Sequence, residues 1–541
     1  MMRSRPASLV ACLALAALGA GVMAAPQTAA GTESGQATAV IVQAADAQTA
    51  SEAVARHGGE VERQLELIGA AAADVTPATL TALQADPTVT VTQDIALEFT
   101  AADPEVGDGN GTEQLQALNP GDTWSTETGS GVGVALLDTG VTEVAELAGR
   151  VIPGPDYSDE GHPNDSYGHG TFMAGLIAGN GGANGGDIHG VAPGAHIVSV
   201  KLAGRDGVTS LSKVLDAIGW VVVNQDEFGI RVLNLSLGVP TNRAPQADPL
   251  SAAVQAAWAS GITVVAASGN NGSGTVTSPG RDPWIITVGS TDTNGTAVTH
   301  DDTVPDWSGA GRVNKGHKPD VLAPGTSVLS LRTVGSHIDE EHPQARIGEG
   351  HFRGSGTSMS AAMVSGAVAA LAEFRPYATP DDFKGALVTT GAPITGSIAP
   401  AVDLAAADEA PADADWRQDH PIAFKGLAGH VKRGMPWAQD GAPSPDETWA
   451  RMAWADGEWT RMAWARMAWA DAEFTRMAWA RMAWADANFA RMAWADENFT
   501  RMAWARMAWA RMAWAGSNWS GDRSWVGVDW TASRWDGAPT R

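Results

Sequence analysis

Between about residues 113 and 405 the chain alternates short apolar runs with longer helical stretches, and this rhythm narrows the possible folds more than any other feature. Strands are expected at 132–137, 196–200, 232–235, 262–267 and 284–288. Such alternation favours an α/β fold, a parallel sheet with helices on both faces. A smaller α+β unit is expected over 37–100. There 38–42 reads as a strand, 49–57 as a helix closing on Gly58-Gly59, 76–84 as a second helix, and 89–91 as a strand after Pro87. Residues 101–112, rich in Gly and Asp, read as an exposed linker, and 406–445, rich in Ala, Asp and Pro, as another.

Composition removes several function classes. Thirty-five Lys and Arg against 61 Asp and Glu give a formal net charge of −26. That argues against a nucleic-acid partner, because binding phosphates requires a basic face. The only cysteine is Cys12, which leaves no disulfide framework, thiolate metal site or cysteine nucleophile. Cys12 lies in a leader, 1–25, that opens with Arg3 and Arg5, continues as an apolar run to Met23 and closes on Val22-Met23-Ala24. These are the parts of a secretory signal peptide, with a cut before Ala25 or Pro26. No later run reads as a membrane span.

From Asp446 to Ser520 the chain counts in fives, with Trp or Phe at the fourth place of each unit, and nine units are Arg-Met-Ala-Trp-Ala. After one longer step the rhythm resumes at Trp525, Trp530 and Trp535, so 446–541 forms one repeat tail. Five residues advance an α-helix by about 140°, so the rings would circle it. In a strand an odd period sends alternate rings to opposite faces. Two readings stay open, an unusual stack or an array of exposed rings. Exposed rings would bind a cell-envelope polymer or a protein through many weak contacts, or the tail has no specific ligand. Nine arginines balance nine acids over 446–520, which argues against simple electrostatic binding.

Four segments carry chemistry. Val132-Gly133-Val134-Ala135-Leu136-Leu137-Asp138-Thr139-Gly140 delivers a carboxylate at the end of a buried strand, the edge where α/β sheets gather their ligands. Tyr167-Gly168-His169-Gly170-Thr171 starts a helix with a histidine. Gly354-Ser355-Gly356-Thr357-Ser358-Met359-Ser360 is a glycine turn entering an apolar helix, and Ser358 falls on the first turn, where N–H groups are free. Val264-Val265-Ala266-Ala267-Ser268-Gly269-Asn270 presents an amide after a strand. Singly, each has a bland reading: a structural histidine, a helix cap, a turn.

Together and in this order they resemble the subtilisin-like serine protease family over about 115–405, with the acid, imidazole and alcohol in the chain order Asp, His, Ser. Leu235-Ser236-Leu237-Gly238, Gly190-Val191-Ala192-Pro193 and Lys318-Pro319-Asp320-Val321-Leu322-Ala323-Pro324-Gly325 also match. Residues 37–100 resemble the inhibitor-type propeptide of such enzymes. The resemblance implies a catalytic domain over 113–405 with Asp138, His169 and Ser358 as its triad. Asn270 would be the oxyanion donor beside the Ser358 N–H. Ser236, Leu237 and Gly238 would form the edge that pairs with an extended substrate.

Departures from the family pattern are Phe172, Ala362 and Met363, read as packing changes, and Thr277, which stands where many relatives have glycine at the floor of the primary specificity pocket. Thr277 predicts a shallower pocket that takes small side chains. The chemistry needs no cofactor. Structural calcium is open, with Asn180, Asn184 and Asp187 as candidate ligands in the loop after the histidine helix; a solvated turn is the other reading. The run from His337 to His342 lacks the spacing that puts two histidines on one helix face and reads as a surface insertion.

The expected function is a secreted, extracellular serine endopeptidase acting on proteins or peptides through an acyl-enzyme. It would be made as an autoprocessed precursor that its own propeptide inhibits. The alternative is a cell-surface or glycan-binding protein that works through the Trp repeat and keeps an inactive protease-like scaffold.

Overall fold

The computed structural model describes residues 37–99, 112–118, 128–182, 189–241, 243–313 and 316–411, together with 418, 420 and two dipeptides of the tail. The expectations for the leader, for most of the two linkers, for Asn184 and Asp187, and for nearly all of the pentads lie outside these residues; the first residues of the expected second linker, 406–408, fall in a helix that spans Leu404–Asp408.

The chain begins with β1 (Thr38–Gln43), α1 (Ala47–Arg56), β2 (Glu60–Leu65), β3 (Ala70–Val75), α2 (Pro77–Ala85) and β4 (Thr90–Gln93). The strands form an antiparallel sheet in the order β2-β3-β1-β4. Asp46 caps α1 through a 2.7 Å bond from Thr49 N–H, and Thr76 caps α2, which carries Pro77 in its first turn. Side chains alternate across a strand, so this sheet feeds two cores. Val40, Val42, Ala73 and Val75 pack with Val54 and Leu83 of the unit's own helices. Ile41, Leu65, Ala70 and Ala72 face the other way, into the core of the larger domain.

A short strand, β5 (Ala96–Glu98), and α3 (Thr112–Leu118) follow. Then come β6 (Gly133–Asp138), β7 (Val151–Asp156), α4 (His169–Ala178), β8 (His196–Lys201), β9 (Val208–Ser210), α5 (Leu211–Phe228), β10 (Ile230–Leu235), α6 (Pro249–Ala259), β11 (Thr263–Ala267) and β12 (Ile286–Thr291). Two short strands, β13 (Gly311–Val313) and β14 (Gly316–Lys318), precede β15 (Val321–Pro324) and β16 (Val328–Leu331). A small helix, α7 (His337–Glu341), and two strands, β17 (Arg346–Ile347) and β18 (His351–Gly354), lead to α8 (Thr357–Phe374), α9 (Pro380–Thr390) and α10 (Leu404–Asp408).

Seven strands make one parallel sheet in the order β15-β12-β11-β10-β6-β8-β7. The fold is the expected α/β sandwich: α4 and α8 pack together on one face, α5 and α6 on the other. β6, β11 and β12 are buried at every position, as strands covered on both faces must be. Among the described helices only α8 is long and apolar enough to cross a bilayer, and 89% of it is buried inside the protein. It is the central core helix.

In a parallel sheet all strands end at one edge. Asp138 closes β6, Ser236 follows β10, and Ser268-Gly269-Asn270 follow β11, so the loops carrying the expected site share that edge.

Candidate active site

His169 is the first residue of α4, preceded by Gly168 at φ 110°, a conformation that favours glycine; a side chain there would also strike Ser336 Oγ at 2.5 Å. The imidazole is buried, and its Nδ1 lies 2.8 and 2.9 Å from the two oxygens of Asp138. Asp138 also accepts the Thr139 N–H at 2.8 Å. Burial alone would push the imidazole down. The Asp138 charge, its hydrogen bond and the Asp165 charge outweigh burial, so His169 titrates above its ordinary value.

Sequence reasoning passed over Asp165, four residues before His169. It is buried and accepts the Gly168 N–H (2.6 Å), the Thr171 N–H (2.8 Å) and the Thr139 hydroxyl (2.8 Å). Burial raises its carboxyl above the usual range against those three bonds. Thr139 in turn accepts the Gly170 N–H at 2.9 Å. The network ties the first turn of α4 to the end of β6, and that fixes the imidazole against Asp138.

Ser358 sits on the first turn of α8, and its hydroxyl donates to Ser236 O at 3.1 Å. His169 Nε2 is buried without a hydrogen-bond partner among the described residues. No hydrogen bond joins His169 to Ser358 here. A serine hydroxyl swings between staggered χ1 wells, and in this arrangement Oγ has taken the strand-end carbonyl. Ser236 Oγ lies 2.9 Å from Asn234 Oδ1 and 3.0 Å from Ser358 O, and Asn234 Nδ2 donates to Ser365 Oγ at 2.9 Å. These bonds pin α8 to the end of β10.

Asn270 Oδ1 accepts the Thr357 N–H at 3.0 Å and the Thr357 hydroxyl at 2.9 Å. Two donors on one atom identify it as the oxygen, which leaves the amide NH₂ as the free end next to Gly356. Thr357, also missed in the sequence, accepts the Gly269 N–H at 3.1 Å and so orients the amide. Thr277 fills the space between two glycine backbones. A side-chain carbon at Gly238 would stand 2.2 Å from Thr277 Oγ1, and one at Gly269 2.9 Å from its methyl. Leu237 is buried beside them.

Of the candidate calcium ligands only Asn180 lies among the described residues. Asn180 Oδ1 accepts the Gly182 N–H at 3.0 Å, and no described group of three or more His, Cys, Asp or Glu side chains is placed to hold a metal. The run from His337 to His342 is more than a surface insertion. Its Asp339 is 3% exposed and receives Arg332 Nε at 2.6 Å and Arg346 Nε at 2.8 Å. Burial would raise that carboxyl, but the bonds from Arg332, Gly335 and Arg346 hold it down at about 2.

The segment after the N-terminal unit lies against the Asp138–His169 pair. β5 pairs antiparallel with β9, Leu97 opposite Thr209. Phe99, 3% exposed, lays its ring against the His169 imidazole with centroids 5.6 Å apart.

A parallel sheet that delivers a carboxylate–imidazole pair, a serine on a helix N-terminus and a free amide to one edge defines the class of subtilisin-like serine peptidases. Residues 129–418, over half of the chain, match the family model described as "Subtilase family". The chain belongs to the subtilase family.

It is similar to serine protease AprX of Bacillus subtilis, 39% identical over 269 residues that make up 48% of this chain and 61% of that protein. It is also similar to M-protease of Shouchella clausii, 32% identical over 321 residues, 59% of this chain and 72% of that one. The chain thus spans about three-fifths of the first relative's length and under three-quarters of the second's. Fervidolysin of Fervidobacterium pennivorans, a keratinolytic enzyme related to subtilisin, shares the fold with a TM-score of 0.56 at 23% identity, over 70% of this chain and 62% of that one.

Proposed function

We propose that this chain is a secreted serine endopeptidase that cleaves proteins or peptides and is made as a self-processed precursor. The observation that carries this reading is the buried Asp138–His169 pair, two contacts at 2.8 and 2.9 Å, at the same sheet edge as Ser358 on the N-terminus of α8. Nδ1–H is held on the Asp138 carboxylate, so Nε2 is the basic nitrogen. Ser358 Oγ swings from Ser236 O toward it, gives up its proton and attacks the substrate carbonyl. Asp138 stabilises the imidazolium that forms. The Asn270 NH₂ and the Ser358 N–H receive the charge that develops on the carbonyl oxygen. His169 then protonates the leaving amine, and water repeats the cycle on the acyl-enzyme. A fluorophosphonate probe tests the reading: it should label the protein at Ser358, and casein should be hydrolysed. A mature protein that does neither overturns it.

The N-terminal unit acts as an inhibitor through the strand it places in the cleft. The Phe99 ring packs on the general base, and the bond one residue beyond it along the chain is the one proposed to be cut. Self-cleavage is expected between Thr100 and Ala101. Mass spectrometry of the secreted protein should find Ala101 as its N-terminus; any other first residue refutes this register.

Thr277 sets the primary pocket. Its side chain takes up room between Gly238 and Gly269, so small residues are preferred before the scissile bond. Thr277→Gly should raise kcat/KM for Phe relative to Ala at that position by about 10-fold or more. Paired peptide substrates read this directly, and a wild type that already prefers Phe or Tyr sinks it.

The alternative, a surface-binding protein acting through the repeat, rests on residues 446–541. Of these the structure describes only Trp454–Ala455 paired in parallel with Trp469–Ala470. No described residue favours that reading.

A further inference from the structure

Phe99 is held by its backbone at both ends. Its N–H donates to Gly207 O at 2.9 Å, and its carbonyl accepts the Tyr167 hydroxyl at 2.6 Å. The first bond extends the β5–β9 ladder. The second comes from a side chain two residues before the triad histidine. A phenol is a strong donor, and this one is buried at 9% exposure, where an unmet hydroxyl is costly.

The surroundings of Tyr167 are built to aim it. On one side the ring lies against Gly207, where a side chain would stand 2.6 Å from Tyr167 Cε2. On the other it stacks on the His337 ring, with centroids 5.4 Å apart and planes 24° from parallel. The backbone is fastened too. His337 N–H donates to Ser166 O and Ile338 N–H to Tyr167 O, each at 2.9 Å. The segment between β16 and β18 that carries His337 is anchored by Asp339 and its two arginines, and Arg205 Nη1 donates to Gly335 O at 2.9 Å.

We propose that Tyr167 is a substrate-binding residue. Its hydroxyl donates to the backbone carbonyl of the substrate residue two places before the scissile bond, the place Phe99 occupies in the precursor. The segment 332–350 positions it by stacking His337 on its ring. The bond is made to backbone, so it serves any sequence and grips only chains that extend at least two residues before the cut. This inference rests on the reading of β5 and Phe99 as a substrate-like strand in a protease cleft.

The test uses secreted, matured enzyme, wild type and Tyr167→Phe, on two substrates. One is a tetrapeptide anilide that fills the cleft; the other is p-nitrophenyl butyrate, which has no carbonyl at that place. The variant should lose about 3- to 10-fold in kcat/KM on the peptide, mainly through KM, with the butyrate rate unchanged. No loss on the peptide, or an equal loss on both, overturns the assignment. If Tyr167→Phe does not mature, wild type is given the peptide with sulfur in place of that one carbonyl oxygen. A loss of similar size is then expected, and equal turnover overturns the proposal. An Ala101 N-terminus with an indifferent Tyr167→Phe refutes the tyrosine alone. A wild type that ignores casein, butyrate and the fluorophosphonate refutes the protease reading, and the proposal falls with it.

Discussion

Ser358→Ala should lower kcat on peptide substrates on the order of 10⁶-fold while leaving the fold intact. The size follows from what is lost: with no alcohol there is no acyl-enzyme, and His169 has no proton to take. A methyl group fits where Oγ now meets only Ser236 O at 3.1 Å, and the α8 backbone bonds are untouched, so unfolding should shift little. Three readouts should move together. Casein hydrolysis and fluorophosphonate labelling disappear, and the precursor accumulates with residues 37–100 still attached. A variant that retains a hundredth of the wild-type rate would place the nucleophile elsewhere.

The second large effect is at Asp138. Asp138→Asn should cost about 10⁴-fold in kcat near neutral pH. An asparagine can offer its NH₂ to Nδ1, which moves the imidazole proton to Nε2, where it blocks acceptance of the serine proton. The pH profile adds a signed check. In the wild type the Asp138 charge helps hold His169 above its ordinary value, and the base works only when neutral, so activity falls as pH drops through that raised value. Removing the charge lowers the imidazole, and the acid limb should move to lower pH. Measuring kcat/KM from acid to alkaline pH decides it. A limb that moves upward, or a loss below tenfold, contradicts the role given to Asp138.

Much of the fold was legible because buried parallel strands carry apolar runs. The runs 132–137, 196–200, 232–235 and 262–267 fall on β6, β8, β10 and β11. The misses have physical causes. β7 contains Pro153, Gly154 and Pro155 and pairs irregularly at the sheet edge, where proline is tolerated. β3 is a run of alanines, with a local preference for helix that the pairing with β1 overrides. The strand expected at 284–288 begins later, at Ile286. Lys384 and Lys318 take the carbonyls of Pro283, Trp284 and Ile285 before the ladder starts.

The candidate site divides in the same way. Asp138, His169, Ser358 and Asn270 stand at element ends inside recognisable local patterns, so they could be read. Thr357 lies inside one of those patterns and Asp165 two residues before another, yet their roles show only once backbone N–H groups are seen to converge on them. Tyr167 and the 332–350 segment could not be read. Asp339 can be buried only because Arg332 and Arg346, seven residues to either side, turn back onto it.

Ser358 belongs to α8, the helix around which the sheet is packed, and that helix is bonded through Ser236 and Asn234 to the end of β10. Nothing in this arrangement lets the backbone at Ser358 loosen on its own. On heating, turnover and near-ultraviolet dichroism should vanish at one temperature, without a warm interval of native-like but idle protein.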